Sequence, residues 1–156
     1  MNWQSLFFSF RGRISRAKFW LACLIFFGIG VVLALIGLVA GGSMVFEGFS
    51  ALINLAMFVA GLAVAAKRLH DRDRSAWWLA LFYFGPALFA VIGGGIMWAS
   101  VDAVGMTADT SLLLLKLCFL GGFAIGIWGF VEIGCLRGTV GYNRFGPDPL
   151  PRQSLS

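Results

Sequence analysis

The chain has 156 residues, of which 60% are hydrophobic and 12% charged, with a formal net charge of +5 at pH 7. Soluble domains carry roughly 25% charged residues, so this composition excludes an ordinary water-soluble globule. The charges are also segregated, because Glu47 is the only one between Phe19 and Ala66. Runs of about 20 apolar residues are long enough to cross a hydrocarbon core of roughly 30 Å. The chain reads as an integral membrane protein.

In chain order, the first element is MNWQSLFFSF. Trp3, Leu6, Phe7 and Phe10 fall at i, i+3, i+4 and i+7, one face of a helix. Asn2, Gln4, Ser5 and Ser9 fall mostly on the other face. The pattern predicts an amphipathic helix lying in the interface, its aromatics in the acyl boundary. The apolar run that follows has 22 residues, Phe19 to Ala40. Signal-peptide cores are shorter, roughly 7–15 residues, so a spanning helix is expected here. Four spans are predicted, at about 19–40, 49–66, 77–99 and 112–136. A charged loop at 67–76 and a tail at 137–156 complete a single membrane domain, read as an all-α four-helix bundle. Ser15 and Ser75 each precede an aromatic entry into the bilayer and are expected to cap the helices that follow.

Lys and Arg are retained on the cytoplasmic side of membranes. Four stand before the first span (Arg11, Arg13, Arg16, Lys18), four in the middle loop (Lys67, Arg68, Arg72, Arg74) and three in the tail (Arg137, Arg144, Arg152). The twelfth, Lys116, lies inside the fourth span and is expected to snorkel outward. The other two loops hold only acidic residues, Glu47, Asp102 and Asp109. Both termini are therefore expected in the cytoplasm.

The middle loop, KRLHDRDR at 67–74, has seven titratable residues in eight. Each charge at the bilayer centre would cost roughly 2.5–3.5 kcal/mol on insertion scales, so the block is expected outside the core. That explains its presence but not its composition, since a few lysines would serve. Arginine forks match phosphate and carboxylate oxygens bidentately, and Asp71 and Asp73 interleave with Arg72 and Arg74. A topogenic turn, a headgroup or phosphate site and a protein-docking turn all stay open. A metal or phosphohydrolase centre is disfavoured, because His70 is the chain's single histidine and one His beside two Asp supplies too few ligands. Cys23, Cys118 and Cys135 lack CxxC spacing and are expected to pack as small hydrophobes.

Inside the spans, Glu132 and Asn54 are the polar candidates. Intramembrane carboxylates are functional-site candidates by default, although Glu132, about one turn from the cytoplasmic end, is also placed to pair with Arg137 or a middle-loop arginine. Asn54 is expected to bond to a neighbouring helix. Gly37 and Gly41, Gly122 and Gly126, and Gly134 and Gly138 are each four apart, a spacing that lets helices approach. Gly85-Pro86 predicts a kink. The tail RGTVGYNRFGPDPL is rich in turn formers, including Asn143, Gly146, Pro147, Asp148 and Pro149. It is expected to fold back as an ordered cap in which Asp148 meets the arginines.

FRGRISRAKFW at 10–20, KRLHDRDRSAWW at 67–78 and GYNRFGPDP at 141–149 together resemble the signature stretches of a bacterial inner-membrane family, domain of unknown function 805. The resemblance covers nearly the whole chain. The family pattern often has glycine where this sequence has Asp73 and Ala76. The resemblance implies a small four-helix protein of the cytoplasmic membrane with all three motifs on the cytoplasmic side, and no established activity, substrate or catalytic residue. The expected site is a polar platform of Arg11, Arg13, Arg16, Arg68, His70, Asp71, Arg72, Arg74, Asn143 and Asp148. Its expected partners are anionic lipid headgroups, a membrane protein or a second copy. No cofactor, metal or nucleic-acid partner is expected. A transporter using Glu132 and a lipid-phosphate enzyme using His70 and Asp71 are the alternatives.

Overall fold

The computed structural model describes residues 3–41, 43–102 and 108–150. Met1, Asn2, Gly42, the loop at 103–107 and the tail beyond Leu150, including Arg152, lie outside the described residues. Among the described residues the fold is all-helical, with no β-strand. It comprises α1 (Trp3–Phe8), α2 (Arg16–Ala40), α3 (Met44–Asp71), α4 (Trp78–Asp102) and α5 (Ala108–Phe130), the last continuing into a π-helical turn, Val131–Cys135. Four helices are long and apolar enough to cross a membrane: Arg16–Ala40, Met44–Asp71, Trp78–Trp98 and Asp109–Cys135. The chain divides into two compact units, Met1–Ala76 with Arg137–Ser156, and Trp77–Leu136.

In the first unit, Ser15 caps α2 as expected, its hydroxyl accepting from the Lys18 amide at 3.5 Å. The helix ends where Gly41 takes the left-handed conformation, φ 59°, a backbone state that costs glycine nothing. Phe46 of α3 then packs against Gly37 of α2, where an added Cβ would sit 3.1 Å from the ring. Leu6 of α1 is buried with Ile14, Ala22 and Val64. Phe7 packs on Phe26 with ring centroids 5.5 Å apart. Two residues of the face expected in the acyl boundary are thus directed into protein, while Phe8 and Phe10 are exposed.

The largest departure from expectation is the end of α3. The sequence places a loop at 67–76, but the helix runs on through Asp71, and residues 67–71 are buried. Continuing a helix adds one hydrogen bond per residue fixed, and Ala, Lys, Arg and Leu are good helix formers. The charges do not force an exit, because the protein supplies partners for them.

In the second unit, α4 and α5 pack through glycines that admit aromatic rings. A Cβ at Gly121 would lie 2.8 Å from the Phe89 ring, and one at Gly129 would lie 2.9 Å from Phe82. Gly122 faces the Pro86 backbone, whereas Gly126 has nothing within 4 Å. Trp128 sets its ring edge-to-face against Trp78 and Phe82, each at 5.4 Å, a favoured aromatic geometry. The helix continues through Pro86. α4 begins at Trp78, three residues after Ser75. Lys116 is exposed, and Asn54 donates to the Ser50 carbonyl of its own helix at 2.8 Å, not to a neighbouring helix.

Candidate functional site

The site is built around the last turn of α3. A helix leaves its final carbonyls without intrahelical partners, and here each of the last three finds one. Arg74 N–H donates to Leu69 O at 2.9 Å and Asp73 N–H to His70 O at 3.0 Å. This is the Schellman pattern, with Asp73 at φ 57° in the left-handed position. That backbone is one that glycine adopts freely. Aspartate is among the few other residues that tolerate that conformation.

The tail supplies the remaining caps. Asn143 Nδ2 donates to His70 O at 2.9 Å, and Thr139 donates to Asp71 O from both its amide (2.7 Å) and its hydroxyl (3.1 Å). The tail holds its own shape through short-range bonds. Asn143 and Gly146 exchange backbone hydrogen bonds at 3.1 and 3.0 Å, and Asn143 Oδ1 accepts from Phe145 N–H at 2.9 Å. Asp148 accepts from the amides of Gly141 (3.0 Å) and Leu150 (2.9 Å). These amides, then the neighbouring Arg13 and Arg137, hold the half-buried Asp148 carboxyl below its ordinary value. Asp148 thus ties the tail to itself through these amides, with Arg13 and Arg137 near enough to act on its charge.

Beneath the tail lies a buried ionic cluster. Arg68 is fully buried and is the largest such side chain among the described residues. Its Nη1 donates to Asp71 Oδ2. Arg13 donates to the other carboxylate oxygen of Asp71 from Nε at 3.1 Å. The rest of the Arg13 fork reaches three tail carbonyls, Thr139 (2.5 Å), Gly141 (2.6 Å) and Gly146 (3.2 Å). Gly138 crosses directly over Asp71, and a Cβ there would overlap the carboxylate. Lys67 Nζ, also buried, donates to the Leu6 carbonyl near the end of α1.

His70 is held as firmly. Its Nδ1 lies 3.3 Å from Gly12 O, and its ring stacks on Phe145 at 4.0 Å with the planes 8° apart. The guanidinium of Arg144 covers the other part of that stack, 4.8 Å from the Phe145 centroid, and pairs with Asp73 at 3.1 Å.

The structure thus brings Arg13, Arg68, His70, Asp71 and Asn143 into one network, joined by Asp148 through the tail backbone. Arg72 reaches Arg137 O at 3.0 Å. Arg11 and Arg16 are exposed, and Arg74 is half-buried. Of the intramembrane candidates, Glu132 is buried in the π-helical turn and Asn54 is exposed on α3. Sequence reasoning missed Thr139 and Gly138. The signal for the latter was a glycine just before a turn-rich tail, read as helix packing. Among the described residues no three of His, Cys, Asp and Glu gather as a metal site.

Four apolar helices of crossing length, with one buried polar cap, define a multi-pass helical membrane protein. The chain belongs to the family described as Protein of unknown function (DUF805), whose model matches residues 7–147. Among its relatives is Uncharacterized protein YiiR of Escherichia coli K12, 32% identical over 153 residues, 95% of this chain and 90% of that one. Inner membrane protein YhaI of the same strain is 30% identical over 140 residues, 90% and 85% of the two chains. Inner membrane protein YhaH is 29% identical over 145 residues, 90% and 86%. No solved structure shows a significant match to the chain.

Proposed function

We propose that this chain is a non-enzymatic protein of the bacterial cytoplasmic membrane, with both termini in the cytoplasm, whose cap presents its outer cations to anionic lipid headgroups. One observation carries the reading. The segment around the start of α2 (residues 11–18), the end of α3 with the turn after it (67–74) and the tail meet at one end of the first unit, and they hold ten of the eleven Lys and Arg residues among the described positions. Positive charge concentrated at one membrane face marks the cytoplasmic side, and each such residue near an anionic leaflet is worth about 1 kcal/mol.

The inner charges of the cap are engaged in its own architecture, and binding is assigned to Arg11, Lys18 and Arg137. An enzymatic role for His70 and Asp71 is disfavoured for the same reason. The imidazole is enclosed by Gly12 and Phe145, and both carboxylate oxygens of Asp71 carry guanidinium groups. In this arrangement α1 lies at the interface, with Phe8 and Phe10 turned toward the acyl chains.

Native mass spectrometry of the protein released gently from its own membrane tests this, beside an Arg11→Gln/Lys18→Gln variant. Neither residue pairs in the buried cluster. Anionic lipid kept by the parent and lost by the variant is the expected result, and equal retention in both refutes the reading.

A further inference from the structure

The second unit carries a groove that its own packing leaves open. Pro86, Phe89 and Gly93 of α4 and Leu115, Phe119 and Phe123 of α5 line a space of about 510 Å³. Its first and last positions on α5, Leu115 and Phe130, are about 22 Å apart along the helix axis. The space exists where glycines lack side chains, because Gly94 on one wall and Gly126 on the other have nothing within 4 Å of where a Cβ would sit. Apart from the Cys118 thiol, no titratable side chain lines it. An apolar cavity of about 150 Å³ takes one benzene, or six carbons, so this groove has room for about twenty carbons. That is one acyl chain and not two.

A cation stands at one end of this groove. Positions three, seven and eleven residues on share one face of a helix, and from Lys116 these are Phe119, Phe123 and Ile127, all of which line the groove. Lys116 is exposed and makes no hydrogen bond or ion pair among the described residues. Ionisable residues within spans mark functional sites and call for a named partner. A helical side chain leans toward the N-terminus of its helix, so the Lys116 stem carries its ammonium toward the Ala108 end and the headgroups. Asp109 is exposed on the same face and opposes an anion there, from about 10 Å further along the axis.

We propose that the groove between α4 and α5 binds one phospholipid of net negative charge, its acyl chain along Phe119, Phe123 and Ile127 and its phosphate on the Lys116 ammonium. A lipid supplies both parts at once, a chain of the right volume for the groove and an anion for the cation beside it. A helix from a second copy would fill the volume but would still have to bring a carboxylate to Lys116. The site lies within the second unit and uses none of the cations of the cap.

The test uses the full chain in maltoside micelles and a phosphatidylglycerol that carries a diazirine on its acyl chain. After irradiation, adducts are mapped by peptide mass. A saturable set of adducts on the groove residues of α4 and α5 is expected, displaced by unlabelled phosphatidylglycerol and far less well by phosphatidylcholine. Lys116→Gln weakens phosphatidylglycerol about tenfold, the loss of one charge-assisted hydrogen bond. Gly126→Leu, whose side chain enters the open space, removes the groove adducts. Gly94→Leu on the facing wall repeats that block if Gly126→Leu does not fold. Arg144→Gln, in the other unit, changes neither result. Adducts spread evenly over all four spans, or equal displacement in parent and Lys116→Gln, overturn the proposal. A dimer in native mass spectrometry whose groove residues take no probe overturns it too, and gives the groove to a second copy.

Discussion

The two units of this protein solve the same problem by different physics. In Trp77–Leu136 the helices hold together by shape, with Phe82 and Phe89 seated on Gly129 and Gly121. In the other unit, the end of α3 is held by charge and directed hydrogen bonds, with a fully buried arginine at its centre. Lipid tails are as apolar as the side chains of a span, so helix pairs in membranes gain little from the hydrophobic effect and rely on close fit. The capped end of α3 has polar groups to satisfy, and satisfying them organises three distant segments. A shape-based contact is sensitive to volume. A charge-based one is sensitive to the identity of a single atom.

That contrast can be broken from either side. The largest effect is expected from Asp71→Asn, which leaves Arg13 and Arg68 buried without a counter-charge. Removing one partner of a buried pair costs about 3–5 kcal/mol. Hydrogen exchange at residues 139–146 should rise sharply, while exchange in α4 and α5 stays as in the parent. Retained protection of Thr139 in this variant would show that the tail does not depend on the ion cluster.

A smaller effect of the opposite kind is expected from Gly129→Ala. The added methyl meets the Phe82 ring, and overpacking costs about 1–3 kcal/mol. Thermal unfolding in micelles, followed at Trp78 and Trp128, should shift downward, with the Thr139 amide unaffected. An unchanged transition would mean that the ring moves aside freely and that the glycine contact carries little.

The smallest effect is expected from pH acting on Asp148. Its carboxyl is held below the ordinary value by the Leu150 and Gly141 amides and by nearby arginines. A depressed carboxyl stabilises the fold above its unfolded pKa and loses that contribution as pH falls through the folded one. Tail protection should therefore be constant near neutrality and decline only below about pH 4. Asp148→Asn should remove the decline; if it persists, another group governs it.

Much of this arrangement was legible in the sequence because apolar runs and clustered Lys and Arg report directly on the bilayer. Ser15 as a cap and the tail as an ordered element were readable from residue type. The course of α3 through Lys67–Asp71 was not, because hydropathy treats each charge as if it faced solvent or lipid alone. Arg13 and Asp71 are 58 residues apart, and no local pattern announces their pairing. Asn54 misled for the converse reason. An amide in a span suggests a partner helix, yet its own Ser50 carbonyl is one turn away and always available.

The fork of Arg13 closes on carbonyls 126 to 133 residues further along the chain. During synthesis Arg13 and Asp71 must therefore wait, without those tail acceptors, until both hairpins have been made and residues 139–146 arrive. A polypeptide that stops before Thr139 is left with an exposed helix end and an ionic cluster without its lid. Closure of the cap is therefore a late event, set by the arrival of the tail carbonyls that Arg13 takes.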